Sequence, residues 1–219
     1  MIFLLHGSGG NSKFIFMEKR IAQFLSIAFH PLLIPTYALL IIFRANAYFV
    51  FIMPFTAKLL LLIMMVVSTV LVPLLLFVVF RHRGIIANFR METKEERVYP
   101  YLSMTIIYFL AYLLFSKLQI PVVYSFFLLI STLLSLIIFF INLRWKISVH
   151  AAAIGGLTAL LVGLYFKFEL NFQIIIISLI LCSGLVGFAR LKLNSHKPSE
   201  VYAGFLVGVF VFFAMTMIL

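Results

Sequence analysis

The chain has 219 residues, 65% of them hydrophobic and 11% charged, with mean hydropathy +1.22. Soluble domains run nearer half apolar and a quarter charged, so these values exclude a soluble globular protein and indicate a polytopic membrane protein without a sizeable soluble domain. Seventeen Lys and Arg against six Glu give a net charge of +11; in this setting the excess reads as cytoplasmic loops facing anionic lipid or a phosphorylated ligand, not as a nucleic-acid surface.

Residues 1–16 differ in character from the remaining sequence and read as a disordered or extraneous N-terminus. Their apolar part is too short for a span or a signal peptide, and Met17 has the character of an alternative start. Residues 17–219 read as one integral membrane domain, an all-α bundle of about six to seven transmembrane helices. The first span is expected at about Ile21–Phe43, kinked by Pro31 and Pro35, with His30 read as a helix-packing or interface residue ahead of a functional one. The second is expected at Lys58–Phe80. A polar segment, Arg81–Pro100, precedes a short third run at Tyr101–Phe115. Val122–Leu143, Ser148–Phe166, Phe172–Ala189 and Val201–Leu219 complete the set. The single cysteine, Cys182, lies in an apolar run and has no intrachain disulfide partner.

Seven crossings put the 81–100 loop, the 144–147 turn, the 190–199 loop and the N-terminus on one side. Thirteen of the 17 Lys and Arg fall there, which places that face in the cytoplasm by the positive-inside rule. Three polar clusters also fall there: Arg90 with Arg97, Ile147-Ser148-Val149-His150, and Ala189-Arg190 followed by His196 and Glu200. Taken singly, each is explained by loop charges, an interfacial helix start or a capping pair. Together they supply cations for an anion, two imidazoles, and a carboxylate one helical turn from one of them.

Their order and spacing resemble the type 2 phosphatidic acid phosphatase superfamily, which includes glucose-6-phosphatase-like and vanadium haloperoxidase-like enzymes. Its signatures are Lys-x6-Arg-Pro, Pro-Ser-Gly-His and Ser-Arg-x5-His-x3-Asp. This chain reads Arg90-x6-Arg97-Val98, Ile147-Ser148-Val149-His150 and Ala189-Arg190-x5-His196-x3-Glu200, a likeness covering about residues 80–219. The resemblance implies a bacterial inner-membrane hydrolase of lipid phosphates or pyrophosphates. It makes His196 the nucleophile that forms a phosphohistidine, Glu200 its orienting carboxylate, and His150 the acid and base. Arg90, Arg97, Arg190 and Ser148 would bind the phosphate, and no metal or other cofactor is implied. Val98, Val149, Ala189 and Glu200 depart from the family's proline, glycine, serine and aspartate. These departures motivate an alternative, a catalytically weak homologue that binds anionic lipid or scaffolds membrane partners. A small transporter is a second alternative, opposed by the scarcity of ionisable groups within the apolar runs.

Overall fold

The computed structural model describes residues 8–88, 91, 93 and 95–219, with side chains from residue 16 onward. The described residues form helices and contain no strand. Six helical segments are long and apolar enough to cross a membrane: Phe55–His82, Glu95–Ser116, Val122–Asn142, Val149–Phe168, Gln173–Lys192 and Pro198–Ile218. Their outward faces expose apolar side chains, such as Leu75 on the first, Leu110 on the second, Ile177 and Leu181 on the fifth, and Phe210 on the last. Contiguous exposure of this kind is untenable in water and natural against lipid. The protein is an integral membrane helix bundle.

The N-terminal region differs from the expected single span. Helix α1 runs Ser8–Ala28 and so begins within the stretch read as disordered, while residues 1–7 lie outside the described residues. α2 is only Ile34–Phe43. The break falls at Pro31, which lacks an N–H and disfavours helical geometry in the residue before it. Pro35, by contrast, sits in the first turn of α2, where no N–H is needed. The segment still traverses the bundle. His30 packs on His150 near the start of helix α8 (Val149–Phe168), and Phe49 packs on Phe168 at its far end.

A short helix, α3 (Tyr48–Phe51), leads to α4 (Phe55–Val66). A π-helical turn at Val67–Leu71 joins α4 to α5 (Val72–His82) in one rod. The wider turn precedes Pro73, whose missing N–H would otherwise leave a gap in the ladder. Helix α6 spans Val98–Ser116, 19 residues rather than the short run expected, because Pro100 lies in its first turn instead of before it. α7 is Val122–Asn142, α9 is Gln173–Lys192 and α10 is Pro198–Ile218.

α8 is the central helix, and Ile154 to Leu161 are all buried. Its closest partner is α10. A Cβ on Gly204 or Gly208 would collide with the main-chain carbonyls of Ser148 and Ala152, so the two backbones lie in direct contact, as small residues permit in membranes. Gly208→Ala should therefore destabilise the protein by about 1–3 kcal/mol, the usual range for overpacking, because a carbonyl of a central helix has nowhere to go. Gly184→Ala, facing open space on α9, should be neutral or slightly stabilising. Thermal unfolding of both variants in detergent checks the contrast.

Candidate active site

Three connections meet at one end of the bundle: the loop before α6, the turn before α8 and the turn before α10. The α8–α10 contact fixes the second and third relative to each other. The Ser148 N–H donates to the Glu200 carbonyl at 3.1 Å, so the two motifs are joined main chain to main chain. Ser148 itself is fully buried and caps α8, its hydroxyl accepting the Ala151 N–H at 3.4 Å. It does not line the cavity that holds the other site residues. Val149 is the first helical residue and has no positive φ. The missing glycine therefore imposes no backbone strain here.

The third motif is shaped by the end of α9. Asn194 takes the left-handed conformation (φ 51°), and the Ser195 N–H returns to the Arg190 carbonyl at 3.1 Å. This is the Schellman-type closure that Asn tolerates better than most residues. It turns the chain sharply between Arg190 and His196. Pro198 opens α10, and Glu200 in its first turn accepts the Lys197 N–H at 3.3 Å. The same carboxylate oxygen lies 2.7 Å from His196 Nδ1, with both residues buried. Burial, and then the charges of Arg97, Arg190 and Lys146, lower the His196 pKa from 6.5 to about 3, while the Glu200 carboxylate acts in the opposite sense. A neutral ring facing a carboxylate places its proton on Nδ1, which donates to Glu200. Nε2 is then left with its lone pair.

Arg97 ends a 3-10 turn, Glu95–Arg97, and is 4% exposed. Its Nε donates to the Met91 carbonyl at 2.8 Å, and a terminal nitrogen reaches the Tyr101 hydroxyl at 3.4 Å. Met91 takes a left-handed φ of 46° to present that carbonyl. Glu96 ties the loop together by accepting the N–H groups of Ala87 (2.8 Å) and Thr93 (3.4 Å). Arg90 lies outside the described residues. Arg190 donates to the Ser26 hydroxyl at 3.3 Å, and its buried Nε has no hydrogen-bond partner among the described residues. A buried guanidinium with an unmet donor is unusual in a folded chain, and an anion would meet it.

Arg97, Arg190, His150 and His196 line one cavity of about 1000 Å³, together with His30, Tyr101, Lys146 and Ser26. None of its described lining residues is acidic. Away from the charged end the wall turns apolar, with Leu74, Met104, Phe127, Leu134, Ile138 and Phe212 contributed by α5, α6, α7 and α10. A polar, cationic head above an apolar chamber is the shape of a site for an amphiphilic anion. Among the described residues no group of three or more His, Cys, Asp or Glu could hold a metal ion. Of the expected site residues, His150, His196, Arg97 and Arg190 share this cavity, and Glu200 stands behind His196. Tyr101, Ser26 and His30 were not anticipated as parts of it. Only Tyr101 had a local signal, lying four residues after Arg97 and so on the same side of the α6 start.

No family model matches the chain, and neither the curated proteins nor the solved structures yield a match.

Proposed function

We propose that the protein is a metal-independent membrane phosphatase of lipid phosphates or pyrophosphates, built like the type 2 phosphatidic acid phosphatases. The observation that carries this reading is the His196–Glu200 pair at 2.7 Å, set in a cavity whose described lining residues include no acid, beside Arg97, His150 and an Arg190 whose Nε has no partner among the described residues. The substrate's phosphoryl group enters the cationic end, and its apolar portion extends along the chamber toward Phe127 and Phe212.

In the first half-reaction the His196 Nε2 lone pair attacks phosphorus. The bond to the leaving oxygen breaks, and His150, protonated on uptake of the anionic substrate, delivers that proton to the oxygen, releasing the lipid alcohol or phosphate. His196 then carries the phosphoryl group on Nε2, and Glu200 stabilises the resulting positive ring through Nδ1–H. In the second half-reaction His150, now neutral, takes a proton from water. The oxygen attacks phosphorus, the N–P bond breaks, and inorganic phosphate leaves with His196 restored. Arg97 and Arg190, with Arg90 from the same loop, bind the phosphoryl oxygens as their charge redistributes. The excess of basic residues at this end of the bundle favours the cytoplasmic face for this chemistry.

The test is phosphate release by purified protein from phosphatidic acid, phosphatidylglycerophosphate and polyprenyl pyrophosphate. Release is expected from at least one of them. Inactivity across the panel, combined with binding of the same lipids, would favour the alternative of an anionic-lipid binder.

A further inference from the structure

The three motifs leave one wall of the cavity unassigned, and it comes from the break between α1 and α2. Three observations converge there. The His30 ring lies edge-on to His150, with centroids 5.2 Å apart and planes at 84°. The Leu32 N–H donates to His30 Nδ1 at 3.3 Å, so a neutral His30 carries its proton on Nε2. One helical turn earlier, Ser26 holds both neighbours of that ring. Its hydroxyl accepts from Arg190 at 3.3 Å, and its main-chain carbonyl accepts a hydrogen bond from His150. His30, His150 and Arg190 line the same cavity.

We propose that His30 belongs to the phosphate site, as a neutral Nε2–H donor to an oxygen of the bound phosphoryl group on the His150 side. The proposal rests on the phosphatase reading but adds a group that no motif contains. Pro31 gives the arrangement a physical reason. By ending α1 it frees the Leu32 N–H from helical bonding, and that N–H then locks the imidazole tautomer. The His30 wall differs in kind from the arginines. A neutral donor on a backbone-fixed ring orients an oxygen without adding charge beside His150.

The test uses the full-length protein in detergent with inorganic phosphate as the probe. Selective 15N-histidine labelling of the wild type should show the His30 Nε2 signal moving as phosphate is added. His30→Leu should weaken phosphate binding roughly 10- to 100-fold, the range for a hydrogen bond to a charged group. His30→Gln, whose amide N–H reaches a similar position, should restore binding to within a few-fold of wild type. If phosphate binds while the His30 signal stays fixed, and His30→Leu binds as wild type does, His30 is a packing residue and the proposal falls with the phosphatase reading intact. A wild type that neither binds phosphate nor releases it from any lipid overturns both.

Discussion

His196→Asn is expected to abolish phosphate release, by at least about a thousandfold, while leaving the fold in place. The asparagine amide can still donate to Glu200 from near the position of Nδ1, so the buried carboxylate keeps its partner. Nothing, however, replaces the Nε2 lone pair that attacks phosphorus. Loss of a nucleophile removes the covalent route outright and exceeds what loss of an acid or base alone brings. Alanine at the same position would mix this effect with the destabilisation of an unpaired buried carboxylate. Turnover and the melting temperature, measured side by side, separate the two.

The same residue carries a pH signature. The His196 pKa is lowered to about 3 in the folded protein, against 6.5 for the ordinary side chain. Its stabilising contribution is therefore full above about pH 6.5 and is lost as the pH falls toward 3, because the unfolded chain binds the proton first. In the free enzyme the ring should stay neutral, and so nucleophilic, through mildly acidic solution. A histidine NMR titration in which this ring protonates near 6.5 would contradict the burial and charge arrangement around it.

Glu200→Gln is expected to lower turnover by roughly 100- to 10,000-fold, the range seen when a triad-type carboxylate becomes an amide. Stability should change little. The amide oxygen can accept either the Lys197 N–H or the His196 proton, and the side-chain length is unchanged. What disappears is the negative charge that offsets the positive ring of the phosphohistidine. The loss should therefore fall mainly on kcat, with KM for the lipid phosphate nearly constant, since Glu200 does not line the cavity. A large rise in KM with kcat intact would instead mark Glu200 as a shaping residue.

The apolar runs of the sequence located the long helices, because twenty apolar residues have few alternatives in a bilayer. The resemblance implied the His196–Glu200 contact, and it forms across the start of α10, with His196 two residues before the helix and Glu200 in its first turn. Three features were not legible. Arg190 meets Ser26 across 164 positions, and no local pattern announces a pair so distant. Arg97 is aimed by a left-handed methionine, a backbone state that sequence usually signals with glycine or asparagine. Ser148 stands immediately before a helix, the ordinary position of an N-cap, and it caps α8, a role that the resemblance, which implied a phosphate ligand, did not bring out. Pro31 did mark an irregularity, but proline alone does not distinguish a bent helix from two helices carrying a histidine between them.

The main-chain bond from Ser148 to Glu200 has a bearing on how such a site changes over time. Side-chain identity does not enter it: any residue but proline supplies the N–H at 148, and any residue supplies the carbonyl at 200. The glycines beneath it keep α8 and α10 in contact whatever occupies the positions between. Side-chain changes at the intervening positions therefore leave the turn before α8 and the turn before α10 at the same separation. In this architecture the spacing of the two turns is set by the backbone, independently of the side chains they carry.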